Sequence, residues 1–164
     1  MSILKNNIQP SFSDLLKSPV LMLAFGFGSG LSKKAPGTMG TILAVILFYG
    51  LMLMGTTWYV VGLVLVTLSG SWICGEASKK LDVHDHGGIV WDEVAGYLLT
   101  MYWAPFTLQN MLIGFVLFRL FDILKPWPIN WLDKHVSGGF GIMIDDILAG
   151  LMAAACLQGL LTII

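Results

Sequence analysis

Three long stretches of this chain contain no charged residue, and they limit its fold more than any other feature. They cover residues 35–75, 94–118 and 147–164, and the 19 charged residues (9 Lys and Arg, 10 Asp and Glu) lie outside them. An uncharged apolar stretch of about 20 residues can cross a bilayer as a helix. Because 56% of the chain is hydrophobic and only 12% is charged, against about 25% in soluble domains, we predict one all-α domain over residues 1–164. It would be a multi-pass membrane helical bundle.

The lengths of these stretches predict about five spans. Residues 35–75 suit two spans with a turn at Gly55, and residues 147–164 suit one. Pro105 divides 94–118 into pieces that are too short to cross alone, so a hairpin would have to include the flanking charged residues. The alternative takes 94–118 as one span, which would place Lys134 on the opposite side from Lys80.

The five-span arrangement places every charged window on one face of the membrane. Lys and Arg are enriched in cytoplasmic loops, so we expect this face to be cytoplasmic. Residues 19–31 are apolar but too short to span, which indicates a re-entrant or interfacial N-terminal segment. The net charge of −1 offers no basic surface for a nucleic acid partner. The oligomeric state is left open by the sequence.

Two pairs of adjacent acids are the strongest candidates for a metal site. Asp92–Glu93 and Asp145–Asp146 supply the hard oxygen ligands that Mg²⁺ prefers, and Asp85 is a candidate general base or further ligand. The alternative for both pairs is stabilisation of a helix N-terminus. Zinc bound by His84 and His86 is less favoured, because no third histidine stands at ligand spacing. We therefore expect Mg²⁺ ligands at Asp92, Glu93, Asp145 and Asp146, with Asp85, Asp92, Glu93 and Asp146 as catalytic residues.

Cationic and hydroxyl groups near these acids suit a phosphate. Arg119 and Asp122 are three residues apart and share a helix face, although a structural ion pair is the alternative. The glycines around Thr38 would let backbone amides approach an anion, although this run taken alone slightly favours a flexible elbow into the membrane. We expect phosphate-binding roles for Thr38, His84, Arg119 and Lys125, and orienting roles for Asp122 and His86.

These groups together indicate metal-dependent chemistry on a phosphate carried by a lipid. The acids and glycine loops lie on one face of the membrane, and no serine or cysteine nucleophile motif accompanies them. Two alternatives stay open. A small ion or proton-coupled carrier would need charges at mid-membrane, and a CDP-alcohol phosphotransferase would need an acidic motif that is missing here.

Seven sequence runs in this order resemble the phosphatidylglycerophosphatase A family. They are FGFGSGL at 25–31, PGTMG at 36–40, VHDHG at 83–87, VWDE at 90–93, FRLFD at 118–122, KPWPI at 125–129 and GFGIMIDD at 139–146. The resemblance extends over most of the chain. It implies a Mg²⁺-dependent inner-membrane enzyme that converts phosphatidylglycerophosphate to phosphatidylglycerol and inorganic phosphate.

Overall fold

Helices make up all the regular structure in the computed structural model, which describes residues 9–83 and 85–163. No strand occurs in these ranges, so the prediction of an all-α chain is confirmed. The helices are α1 (Phe12–Leu16), α2 (Pro19–Ala24), α3 (Pro36–Met54), α4 (Thr56–Leu81), α5 (Trp91–Thr100), α6 (Leu108–Leu124), α7 (Ile129–His135) and α8 (Gly138–Leu161), with a 3₁₀ turn at Gly26–Leu31 between α2 and α3.

Three of the described helices, α3, α4 and α8, are long and apolar enough to cross a membrane. The turn between α3 and α4 lies at Gly55, whose φ of 107° favours glycine. Helices α5 and α6 form the hairpin around Pro105, but they contain only 10 and 17 residues. Both are shorter than the roughly 20 residues that a span requires. The three apolar helices are consistent with a membrane protein, and the count of five spans is not confirmed.

The N-terminal elements are short helices, and α2 packs against α4. Helix α2 has six residues and begins at Pro19, where a proline is favoured in a first turn. The Nζ atom of Lys80 in α4 donates a hydrogen bond to Ser18 Oγ at 2.8 Å, and Ser18 is buried. These contacts attach α2 to α4 and agree with a segment that does not span.

Helix α5 lies at the centre of the bundle and is buried along nearly its whole length. It packs against α3, α4, α6 and α8. The Tyr97 hydroxyl donates to the Met111 carbonyl of α6 at 3.0 Å, and the Phe48 ring of α3 meets the Tyr97 ring edge-on at 6.2 Å. A helix this short reaches about 15 Å at 1.5 Å per residue. Because α5 packs against four other helices, those helices rather than lipid surround it. Its two acids are buried within the bundle.

Helix α8 begins earlier than the sequence predicts. We expected a glycine loop before the last span, with two acids at the start of that span. Instead the helix starts at Gly138, and Asp145 and Asp146 lie about two turns inside it. Stabilisation of a helix N-terminus, which acts only within the first turn, therefore does not explain these two acids.

Candidate active site

Close packing between α5 and α8 brings the predicted acids together. A Cβ atom on Gly96 would lie 2.6 Å from the Asp146 carbonyl oxygen, and one on Gly150 would lie 2.4 Å from the Gly96 carbonyl oxygen. Only glycine lets two backbones approach this closely, as is common between membrane helices. Thr100 Oγ1 donates to the Gly96 carbonyl at 2.9 Å. These small residues set the distance between the acids of the two helices.

Three carboxyl groups converge where these helices meet. One carboxylate oxygen from each of Asp92, Glu93 and Asp146 can be chosen so that all three lie within 4.8 Å of one another. Asp92 and Glu93 are each 9% exposed and Asp146 is 4% exposed. Within the described residues, Asp92 Oδ1, Glu93 Oε2 and Asp146 Oδ2 are buried and have no hydrogen-bond partner.

The donor set of this cluster fits a divalent cation. The chosen oxygens are no more than 4.8 Å apart, and at that separation two ionised carboxylates repel by about 3.5 kcal/mol at an effective permittivity of about 20. Buried carboxylate oxygens that lack a partner are also unfavourable. A hard cation such as Mg²⁺ removes both penalties, because it takes carboxylate oxygens as ligands. Asp145 Oδ1 is a fourth buried oxygen without a partner in the described chain, so this acid too has a free ligand atom.

The acids line a cavity of about 120 Å³. Six of the residues around it carry carboxyl groups, from the loop before α5 and from α5, α6 and α8. The lining residues are Asp85, Gly87, Ile89, Asp92, Glu93, Asp122, Lys125, Ile142, Asp145 and Asp146. Residues far apart in the sequence therefore form one acidic cavity.

Arg119 connects the acids of α5 and α6. Its Nη1 atom donates a hydrogen bond to Asp122 Oδ2 and lies 3.7 Å from Glu93 Oε1. A Cβ atom on Gly37 would lie 2.4 Å from that same Glu93 oxygen and 3.0 Å from Arg119 Nη1. The first turn of α3 thus packs directly on this ion pair, and a side chain at position 37 would displace it. The glycine-rich run around Thr38 was a predicted site element, but Gly37 itself was not singled out.

Lys125 joins the cavity to α7. Its Nζ atom donates to Asp145 Oδ2 at 2.9 Å and to Asp133 Oδ1 at 2.7 Å. Burial by itself lowers the pKa of Lys125, but the hydrogen bonds from its ammonium to the two carboxylates raise this pKa above its usual value. The hydrogen bond from Lys125 lowers the pKa of Asp133. The sequence analysis missed Asp133, because nothing in its spacing distinguishes it from an ordinary surface acid.

Of the remaining predicted site residues, only some line the cavity. Asp85 lines the cavity and is exposed, whereas Thr38 is not among the described residues of the lining. His86 Nδ1 accepts a hydrogen bond from the Gly88 amide at 3.0 Å, which shapes the loop before α5, and burial lowers the pKa of His86. His84 lies outside the described residues.

The other glycine run, at Gly26–Leu31, has a packing role. A Cβ atom on Gly30 would lie 2.0 Å from the Gly88 carbonyl oxygen, so this turn presses against the loop that precedes α5. The amide of Val90 also donates to the Ala24 carbonyl at 2.8 Å. The run supports the position of Asp92 from outside the cavity, which agrees with a structural role for its glycines.

Comparison with known proteins gives a consistent family assignment. A model of the family described as phosphatidylglycerophosphatase A matches residues 22–161. No solved structure gave a significant match. The family match covers all the acids of the cavity and both cations beside them.

Three bacterial relatives cover most of the chain. A phosphatidylglycerophosphatase A of Escherichia coli strain K12 is 43% identical over 92% of this chain and 91% of its own length. One of Haemophilus influenzae is 46% identical over 84% of this chain and 86% of its own length. A Bacteroides thetaiotaomicron protein, provisionally named a phosphatidylinositol-3-phosphatase, is 36% identical over 80% of this chain and 86% of its own length. The chain belongs to the phosphatidylglycerophosphatase A family.

Proposed function

We propose that this chain is a membrane phosphatase that hydrolyses phosphatidylglycerophosphate to phosphatidylglycerol and inorganic phosphate. The observation that carries the proposal is the convergence of three buried carboxylates, Asp92, Glu93 and Asp146, with unpartnered oxygens. The names of two relatives at 43% and 46% identity support the substrate. The carrier and the CDP-alcohol phosphotransferase have no comparable support.

Asp92, Glu93 and Asp146 would hold Mg²⁺, with Asp145 as a further ligand. When bound, Mg²⁺ supplies Lewis-acid stabilisation of the charge that develops on a phosphate ester during hydrolysis. Carboxylate oxygens are the ligands that Mg²⁺ prefers. The cavity, about 120 Å³ in volume, contains buried carboxylates, and electrostatic interactions are stronger beside buried groups than in bulk water.

The other residues of the site bind the substrate or move its proton. Asp85, exposed at the cavity, is placed to accept a proton from the attacking water. Arg119 and Lys125 offer guanidinium and ammonium donors to phosphate oxygens, and we assign Thr38 and His84 as further phosphate donors. Asp122 orients Arg119 through their hydrogen bond. His86 orients the loop before α5 through its bond to Gly88.

We place the protein in a bacterial inner membrane with this cavity on the cytoplasmic side. The support is the clustering of charged residues in 5–34, 76–93 and 119–146 and the excess of Lys and Arg that marks cytoplasmic loops. On that side of the membrane, the cavity would meet the headgroup of a lipid substrate while the acyl chains of the lipid stay in the membrane.

Phosphate release by the purified full chain tests the proposal. We expect release from phosphatidylglycerophosphate in detergent micelles with Mg²⁺, loss of release in EDTA, and recovery when Mg²⁺ is restored. Phosphatidylinositol 3-phosphate serves as the comparison substrate, since one relative is named for it, and we expect slower release from it. Equal activity after complete metal removal would contradict the metal assignment, and a preference for the inositol lipid would contradict the substrate.

A further inference from the structure

A shallow apolar groove follows the outer face of α6 and reaches Arg119. Its volume is about 290 Å³, and its lining residues are Phe115, Val116, Arg119, Leu120, Ile123 and Leu124. Most of these apolar side chains are exposed. The apolar faces of membrane helices meet lipid in any case, so the groove alone identifies no ligand. Its contact with Arg119, a partly buried cation, is what distinguishes it.

Arg119 belongs both to this groove and to the surroundings of the acidic cavity. Its Nη1 atom contacts Asp122 and Glu93, which line the cavity. Its Nε atom is buried and has no hydrogen-bond partner within the described ranges. A buried donor without an acceptor is unfavourable, and a guanidinium suits the oxygens of a phosphate. Arg119 therefore has a donor available for an anionic group at the boundary between cavity and groove.

The contacts between these features parallel the connections between groups in the proposed substrate. The acidic cavity holds carboxylates that suit a metal and a phosphomonoester, Arg119 contacts two of those acids, and Arg119 is itself one of the residues that line the apolar groove. A phosphatidylglycerophosphate has its terminal phosphate, glycerol, phosphodiester and acyl chains in that sequence. The groove extends about 14 Å along α6 between Phe115 and Leu124 at 1.5 Å per residue, with Arg119 near its middle.

We infer that the α6 groove holds an acyl chain of the lipid substrate, and that Arg119 binds the phosphodiester that hydrolysis leaves intact. The inference rests on the proposed function and specifies its substrate site. It leaves Lys125 and the metal ligands to contact the terminal phosphate. Charge complementarity and direct contact with the acidic cavity favour the substrate over any other occupant.

A second apolar groove provides a matched control. It lies between α3, α4 and α5, with a volume of about 320 Å³, and none of its described lining residues is charged. Leu65 lines it and is exposed, as Leu120 lines the α6 groove and is exposed. A tryptophan at either position fills a groove without entering the folded core, so L120W and L65W differ in which groove they fill.

The two reaction products, used as inhibitors, test binding at the two ends of the substrate site separately. Phosphatidylglycerol retains the phosphodiester and the chains, and inorganic phosphate represents the terminal group. We expect L120W and R119K to raise the inhibition constant of phosphatidylglycerol at least about tenfold and that of inorganic phosphate less than about twofold. The L65W variant should change neither constant. An R119K effect confined to inorganic phosphate, an equal effect of L65W, or no inhibition of the wild type by phosphatidylglycerol would overturn the inference.

A photoreactive substrate locates the bound acyl chain directly. Phosphatidylglycerophosphate with a diazirine at mid-chain is crosslinked to the wild-type protein in micelles, and the modified peptide is identified by mass spectrometry. We expect labelling within α6, competed by phosphatidylglycerol and not by phosphatidylcholine. Labelling of the α3–α4 groove, or labelling that phosphatidylcholine competes equally, would refute the inference while leaving the phosphatase activity intact. A wild-type protein that releases no phosphate from this lipid would instead refute the proposed function.

Discussion

Replacing Asp146 by asparagine tests whether the buried acids of α5 and α8 bind the metal. D146N keeps the size of the side chain and removes one of three carboxylates within 4.8 Å. Asp146 lies about two turns inside α8, so the change removes no helix cap. If Mg²⁺ binding is lost, several kcal/mol of transition-state stabilisation is lost with it. About 4 kcal/mol corresponds to a rate about a thousandfold lower.

In the metal-free protein, we expect the same substitution to leave the stability unchanged or to raise it, although it lowers the reaction rate when Mg²⁺ is present. Each ionised pair in the cluster repels by about 3.5 kcal/mol at 4.8 Å and an effective permittivity of about 20, and Asp146 takes part in two such pairs. We therefore expect D146N to melt at the same or a higher temperature than the wild type in EDTA. Mg²⁺ should raise the melting temperature of the wild type more than that of D146N, because a ligand that binds the native state stabilises it.

The assay combines phosphate release at saturating Mg²⁺ with thermal melting in Mg²⁺ and in EDTA. E76Q is the matched control, because Glu76 forms an exposed ion pair with Lys79, and such pairs contribute about 0–1 kcal/mol. E76Q should keep wild-type activity and the full Mg²⁺ response. A folded D146N protein that retains more than about a tenth of the wild-type rate, a loss of at most about 1.4 kcal/mol, would remove Asp146 from the metal site.

Two further predictions concern the packing and the topology. G150A should lower both the melting temperature and the activity, because its Cβ would lie 2.4 Å from a backbone carbonyl of α5. G159A, which has no atom within 4 Å of its Cβ, should be neutral in the same two measurements, and an equally tolerated G150A would contradict the close approach of α5 and α8. In a background without native cysteines, single cysteines at positions 80 and 134 should label from the cytoplasmic side and one at position 109 from the other side. Labelling of Lys80 and Lys134 positions from opposite sides would exclude the hairpin, whereas labelling of the Gln109 position from the outside would support it.

The sequence by itself predicted the all-α class, the three long apolar helices α3, α4 and α8, and the family. Charge-free stretches require helices in a bilayer, because the backbone has no other hydrogen-bond partners there. The turn at Gly55 and the break around Pro105 were also predictable, since glycine accepts a positive φ and proline lacks an amide donor. The acids Asp92, Glu93 and Asp146 could be named as candidates because charges beside apolar helices are costly without a function.

Only the tertiary structure decided which of these groups meet. Asp92 and Asp146 are more than fifty residues apart, and their proximity follows from the close contact at Gly96 and Gly150, which no local pattern reveals. The bond from Lys125 to Asp133 likewise depends on where α7 folds back. Sequence periodicity reports which face of a helix is apolar, whereas the distances between helices depend on packing. For that reason the chemistry could be predicted from residue types, while the cavity and its neighbouring groove required the fold.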